Sequence, residues 1–143
     1  EYEVILLPSP ADDILAYGRW RGRVASAIRG KRGQVFLREL LDALDAMPVK
    51  ELIAYELIDA DGQCCTIGVI CKARGIDVSK VDAQEPEQVG AAVGISHVMA
   101  AEIEYLNDDE WGKWDPKLGR LDDSPTERWV RMRKWVESKI KLV

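Results

Sequence analysis

The sequence EQVGAAVGISHVMAAEIEYLND, residues 87 to 108, has the pattern of two helices joined at a tight corner. The first helix would end at Gly94, and the second would begin after Ser96. A helix-turn-helix needs a small residue where the helices cross, a glycine in the turn and apolar residues beneath the second helix. Gly90, Gly94 and Ile103 supply these features, so the segment predicts a helix-turn-helix-like corner.

The second helix of this corner lacks the side chains that read DNA. Base edges and phosphates are bound mainly by Arg, Lys, Asn and Gln. The positions expected to face solvent are instead Ser96, His97, Ala101, Glu102 and Glu104. Because outward carboxylates repel phosphate, we expect the corner to be a packing element, with DNA reading as the alternative.

Two further helices carry strong end signals. An apolar stripe predicts a helix from Gln34 to Met47 that Pro48 ends. The last helix is predicted from Ser124 as N-cap, with Pro125 in the first turn and Glu127 completing a capping box. The stripe of the first of these helices consists of Leu37, Leu40, Leu41, Leu44 and Met47.

The N-terminal region is interrupted by glycines. Residues 1 to 8 are expected to form an extended apolar arm, and Ser9 with Pro10 predicts a helix start. Because Gly18 and Gly22 follow closely, this helix is expected to be short.

Residues 52 to 73 allow two interpretations. The Asp61–Gly62 pair would suit the turn of a short β-hairpin. A helix from about Gln63 to Ala73, followed by Gly75, is the interpretation slightly favoured. Further along, residues 107 to 124 are polar and are predicted to form a long loop.

Composition places these elements in one ordinary globular domain. The chain has 143 residues, of which 47% are hydrophobic and 31% charged, so we expect a mainly α single-domain helical bundle. No apolar run approaches the roughly 18 residues of a membrane span. Three cysteines, two of them adjacent, indicate a reducing compartment. These features predict a cytoplasmic protein with no membrane contact.

Charge is unevenly distributed along this acidic chain, whose net charge is −5. No acid occurs between Asp13 and Glu39. Two segments are therefore candidate contact surfaces, because charged and Trp side chains are frequent at recognition sites. The basic segment offers Arg19, Trp20, Arg21, Arg23, Arg29, Lys31 and Arg32. The acidic aromatic segment offers Asp108, Asp109, Glu110, Trp111 and Trp114.

Motifs for catalysis, metals and cofactors are weak. His97 is the only histidine, which excludes a multi-histidine metal site. Ser96 beside it does not form a nucleophile–base pair, since adjacent helical residues point in different directions. No phosphate-binding glycine motif is present. We expect no metal and no cofactor, and the balance is against an enzyme.

Three stretches carry a resemblance: RGQVFLRELLDALDAM (32 to 47), GISHVMAAEIEYLND (94 to 108) and SPTERWVRMRKWV (124 to 136). Here the chain resembles a group of small proteins, without an assigned activity, borne by phages and prophages of proteobacteria. The likeness covers roughly residues 17 to 140. The resemblance implies an accessory protein directed at host machinery in the cytoplasm of a bacterial host cell.

The leading functional prediction is a non-enzymatic, phage-associated binding protein that inhibits or sequesters a host protein partner. Its contacts would come from the basic segment and the acidic aromatic segment. A first alternative is nucleic-acid binding through residues 19 to 38. A second is the binding or sequestration of a small nucleotide, with arginines clamping phosphates beside stacked aromatic rings.

Overall fold

A computed structural model describes residues 10–108, 113–121 and 123–141, with the backbone alone for 10–12, 113–114 and 120–121. The described chain is mainly helical, as the sequence predicts. Its elements are α1 (Pro10–Arg29), α2 (Lys31–Ala46), α3 (Thr66–Arg74), the 3-10 turn η1 (Val78–Lys80), α4 (Pro86–Val93), α5 (His97–Asp108), β1 (Lys113–Asp115), β2 (Gly119–Leu121) and α6 (Pro125–Lys139).

One apolar core joins the six α-helices. Helix α2 supplies three fully buried leucines on the predicted stripe, and it contacts α1, α3 and α6. Within the described chain, no helix is both long and apolar enough to cross a bilayer. Each helix contributes at least one buried side chain, in chain order Val24, Leu40, Ile70, Val93, Ile103 and Met132.

Helix α1 is longer than the sequence predicts. It begins at Pro10 as expected but continues to Arg29 as one helix of 20 residues, so the prediction of a short helix is wrong. Gly18 and Gly22 each cost about 1 kcal/mol relative to alanine inside a helix. Burial of Val24 and Ile28 offsets this, since burying one such side chain contributes about 1.5–3 kcal/mol. Ser9 and the predicted arm at residues 1 to 8 lie outside the described residues.

The break between α1 and α2 falls at Gly30. A Cβ atom built at Gly33, in the first turn of α2, would lie 2.0 Å from the carbonyl oxygen of Ala27 in α1. Only glycine allows the two backbones to approach this closely. The chain therefore folds back sharply and places α2 against α1.

Residues 52 to 75 combine parts of both predicted interpretations. One antiparallel bridge joins Ile58 to Cys64 across a turn, and α3 starts at Thr66 rather than Gln63. Gly75 ends α3 in the left-handed region, with φ of 68°. The helix is confirmed with a later start, and the hairpin is reduced to a single bridge.

The predicted loop at 107 to 124 needs correction. Helix α5 continues through Asp108, and β1 and β2 pair antiparallel, with Lys113 opposite Leu121. The turn between the strands is closed by Asp115, whose Oδ1 accepts from the backbone N–H groups of Lys117 and Leu118. An Asp side chain that bonds its own backbone in this way favours a turn.

The helix-turn-helix-like corner forms as predicted. Gly94 ends α4 with φ of 81°, and a Cβ at Gly90 would lie 2.8 Å from the carbonyl oxygen of Ile95. The predicted exposure of the second helix is wrong, however. Helix α5 contacts α1, α3, α4 and α6, and Tyr105 is its one exposed residue.

The two glutamates expected to face solvent on α5 do not do so. Glu102 is buried and Glu104 is half-buried. The physical reason is that α5 is covered from two sides: Arg21 of α1 binds Glu102, whereas Glu104 lies beside Tyr55 and Ala83. Repulsion between these carboxylates and phosphate therefore no longer argues against DNA binding by α5. The argument against it is now that α5 is inaccessible to DNA.

Candidate functional site

The apolar stripe of α1 extends past the body of the domain. Val24 and Ile28 are buried and Trp20 is half-buried. One and two turns earlier on the same side of the helix lie Tyr17 and Ile14, since residues three and four apart are neighbours on a helix. These side chains are 67% and 71% exposed. The stripe is thus covered in its second half and uncovered in its first.

All residues from 13 to 19 are exposed, including Leu15. A helical segment this short has little stability of its own in water, and most helical stability comes from packing of an apolar face. Ile14 and Tyr17, three residues apart on one side of the helix, form the kind of exposed apolar patch that marks a contact surface. The first turns of α1 are therefore a candidate contact surface.

An ion pair fastens the middle of α1 to α5. Both terminal nitrogens of Arg21 donate to the carboxylate of Glu102, at 2.8 and 2.6 Å. The Glu102 side chain is 9% exposed, whereas that of Arg21 is 43% exposed. The bidentate geometry orients the guanidinium and satisfies a carboxylate that burial would otherwise penalise.

A second contact lies beside this ion pair. A terminal nitrogen of Arg23 is 3.4 Å from Nε2 of His97, and the rings of Trp20 and His97 meet edge to face at 6.4 Å between centroids. The guanidinium of Arg23 also lies 5.8 Å from the centre of the Trp20 ring. These predicted site residues therefore help to pack α1 onto the start of α5.

A groove of about 620 Å³ lies between α1, α5 and α6. Its aromatic walls are Tyr17, Tyr105 and Trp135, and the cations Arg29 and Lys139 line it together with the Arg21–Glu102 pair. Among the described residues, neither Arg29 nor Lys139 has a side-chain ion pair. The groove is thus aromatic with a surplus of positive charge, directly beside the uncovered stripe of α1.

Buried Gln34 joins the two helix ends at this groove. Its Nε2 donates to the carbonyl oxygen of Ile28, near the end of α1, and to that of Lys139, at the end of α6. Its Oε1 accepts from the backbone N–H of Lys141, whose Nζ donates to the carbonyl oxygen of Arg29. The last turns of α1 and α6 therefore meet, which places Arg29 and Lys139 at the same end of the groove.

The predicted basic segment does not form one surface. Arg21 and Arg29 line the groove, while Trp20 and Arg23 pack against His97. Arg19 is exposed. Lys31 and Arg32 instead line a separate groove of about 430 Å³, together with Arg74, Val93 and Gly94 near the helical corner.

The acidic aromatic segment is described only in part. Asp108 has a structural role, since its Oδ1 accepts from the backbone N–H of Tyr55 at 3.0 Å and from Nδ2 of Asn107 at 2.6 Å. Trp114 lies in β1 with its backbone opposite Arg120. The side chain of Trp114, and the predicted site residues Asp109, Glu110 and Trp111, lie outside the described part of the chain.

The carboxyl group of Glu104 on α5 lies in an environment that disfavours its charged form. Oε1 of Glu104 is buried and, among the described residues, has no hydrogen-bond partner. Burial is the main cause that raises the pKa of Glu104, and together with the nearby carboxylates of Asp108 and Asp82 it brings that pKa to about 7. The group lies by Tyr55, whose φ of 70° is rare for a residue other than glycine.

The cysteines are placed as packing residues. All three are free and buried, and burial raises the pKa of the Cys65 thiol to about 12. Sγ of Cys65 accepts from the backbone N–H of Gly68 and caps α3. Since the thiolate is the nucleophile and the metal ligand, a thiol held protonated suits neither role. Within the described ranges, no three His, Cys, Asp or Glu side chains are grouped to hold a metal ion.

Sequence reasoning missed three residues of the groove. Tyr105, Trp135 and Lys139 lie on α5 and α6, more than 70 positions from the part of α1 that they face. Tyr105 had one signal, since it lies off the apolar stripe of α5. The proximity of the three depends on how α1, α5 and α6 pack, which no local pattern encodes.

Comparison with protein-family models, with curated proteins and with solved structures gives no match for this chain.

Proposed function

We propose that this protein is a non-enzymatic, phage-associated binding protein that inhibits or sequesters a host protein by occupying one of its surfaces. The contact surface would be the exposed first turns of α1 with the adjacent groove between α1, α5 and α6. We call this the α1 surface, and its central residues are Ile14, Tyr17, Arg29, Tyr105 and Lys139.

The observation that carries the proposal is the uncovered half of the α1 stripe. Ile14 and Tyr17 continue a stripe that is buried at Val24 and Ile28, so a partner that covers them would extend the same core. Tyr, Trp and Arg are the residues most often found at the energetic centres of protein interfaces. The groove supplies all three types.

Nucleic-acid binding remains the first alternative but has less support. The second helix of the corner offers one exposed residue, Tyr105, and carries neither Lys nor Arg. The basic segment is divided between two grooves, so its charges do not form a continuous track along which a phosphate backbone would lie. Sequestration of a small nucleotide is the second alternative, and the aromatic and cationic lining of the groove is its only support.

The test is affinity capture of a companion from a proteobacterial lysate, with matched variants. The wild-type chain is expected to retain one stoichiometric protein, and Ile14→Glu with Tyr17→Glu is expected to lose it. The control is Val130→Glu, because Val130 is 55% exposed on α6 and lies outside the α1 surface. Retention of the same companion by the double variant would contradict the proposal.

The alternatives are measured on the same proteins. A mobility shift with duplex or single-stranded DNA at low salt, weakened steeply as salt rises, would favour nucleic-acid binding. A thermal shift with a nucleoside triphosphate would favour nucleotide sequestration. Either result, in the absence of a protein companion, would replace the present proposal.

A further inference from the structure

The α1 surface has two chemically different ends. Ile14, Tyr17 and Tyr105 are the exposed apolar and aromatic residues. At the other end of the same stretch of α1, Arg29 and Lys139 occupy the last turns of α1 and α6. From Tyr17 to Arg29 the helix rises about 18 Å, at roughly 1.5 Å per residue.

We propose that the segment bound here is an amphipathic helix of the partner that lies antiparallel to α1, with carboxylates in its first turn and apolar anchors about three turns later. This inference rests on the proposed function and names the chemistry of the partner. It commits to a protein helix, rather than to nucleic acid or a second copy of this chain.

Charge complementarity supports the carboxylates in the first turn of the partner helix. Among the described residues that line the groove, Glu102 is the one carboxylate beside Arg21, Arg29 and Lys139, and Arg21 already binds it. Two cations are therefore left for a partner. The chain as a whole has a net charge of −5, so this groove is a local exception that would direct an acidic segment to one place.

The C-terminal ends of α1 and α6 support the antiparallel orientation of the partner helix. The last turns of α1 and α6 meet through Gln34, and a helix carries a partial negative charge at its C-terminus. The N-terminus of an antiparallel partner helix carries a partial positive charge and would lie beside them. Asp and Glu are favourable in the first turn of a helix, so the same turn can present carboxylates to Arg29 and Lys139.

The length of the surface supports a helix. A rise of about 18 Å corresponds to roughly three turns, at about 5.4 Å per turn. Apolar anchors on an amphipathic helix that enters a groove recur every three to four residues. Such anchors would cover Tyr17 and Tyr105, and the last of them would reach Ile14.

The test is selection of helical peptides of about 14 residues, displayed on yeast and randomised, against the full-length protein. Enriched peptides are expected to carry Asp or Glu in their first turn and Leu, Phe or Trp about three turns later. Against the variant Arg29→Glu with Lys139→Glu, the same peptides are expected to bind about tenfold more weakly. The control Lys31→Glu with Arg32→Glu makes the same change in charge at the other groove and should leave binding unchanged.

Several outcomes would overturn the inference. These are no enrichment at all, no preference for carboxylates, carboxylates enriched in the last turn, or equal binding to both charge variants. Displacement of the peptides by single-stranded DNA at equal concentration would assign the groove to nucleic acid. A dimer in light scattering that Ile14→Glu abolishes would assign the surface to a second copy.

The failure of this inference is distinguishable from failure of the proposed function. If the captured companion is lost with Ile14→Glu and Tyr17→Glu but retained with Arg29→Glu and Lys139→Glu, the binding function stands and the acidic helix is wrong. If all four substitutions leave the companion bound, the α1 surface itself is wrong. Circular dichroism of each variant shows whether the fold is intact.

Discussion

Arg21 and Glu102 form a two-point ion pair across α1 and α5, with one partner half exposed and the other buried. This asymmetry means that the two single deletions are not equivalent. Removing Glu102 leaves a guanidinium that water can reach. Removing Arg21 leaves a buried carboxylate without its bidentate donor.

We therefore expect Arg21→Met to lower the free energy of unfolding by about 2 kcal/mol, and Glu102→Gln by about 1 kcal/mol. Urea denaturation at pH 7 measures both. Arg19→Met is the control, because Arg19 is an exposed arginine two residues earlier on the same helix and its substitution should change stability by less than about 0.5 kcal/mol. Equal losses for Arg21→Met and Arg19→Met would show that the ion pair does not hold α1 in place.

The buried carboxyl of Glu104 predicts a pH dependence. Its pKa is about 7 in the folded protein against an ordinary value of 4.5, so the folded state holds the proton more tightly than the unfolded chain. This group contributes its full stability below pH 4.5, and that contribution is lost as the pH rises through 7.

Glu104→Gln isolates this effect. The variant should match the wild type in stability near pH 4 and exceed it at pH 8, because an amide does not ionise. Thermal unfolding across this pH range provides the measurement. Parallel curves for the two proteins would mean that the carboxyl is ionised without penalty.

Two glycines in helices should respond oppositely to alanine. A Cβ at Gly68 would lie 1.8 Å from the backbone oxygen of Leu57, whereas a Cβ at Gly22 meets nothing within 4 Å. Gly68→Ala should cost about 3 kcal/mol, since one of two backbones must move. Gly22→Ala should stabilise by about 0.5–1 kcal/mol, because alanine favours a helix interior. Destabilisation by Gly22→Ala would indicate that α1 is not continuous there.

Asn107 is a buried link between three parts of the chain. Its Oδ1 accepts from the backbone N–H and the hydroxyl of Thr66, and its Nδ2 donates to the carbonyl oxygen of Ile53. Asn107→Leu should therefore cost about 3 kcal/mol, because several buried polar groups lose their partner together. Amide hydrogen exchange should show faster exchange at the start of α3. Unchanged protection of Thr66 would contradict this role.

The sequence predicts best where local signals coincide. Helix α6 is predicted correctly because Ser124 and Glu127 form the capping box and Pro125 occupies the first turn. Helix α2 is predicted because its leucine stripe has one period throughout. The corner is predicted because its requirements are local: a close backbone approach at Gly90 and a positive φ at Gly94.

The errors arise where distant contacts decide the outcome. Helix α1 continues across Gly18 and Gly22 because it buries side chains against other helices. The cost of the two glycines, taken alone, predicts a shorter helix. The sequence predicts that Glu102 faces solvent, since a carboxylate is rarely buried, but Arg21, 81 positions earlier, forms an ion pair with it. The groove was not predictable for the same reason, since Tyr17, Tyr105 and Lys139 meet only after packing.

The projecting first turns of α1 have a consequence for how this protein can change over generations. Residues 13 to 19 are exposed and contribute little to the core, so substitutions there carry almost no folding cost. This stretch of sequence can therefore diverge while the rest of the bundle stays intact. Among related sequences, replacements are therefore expected to accumulate in these turns faster than in α5.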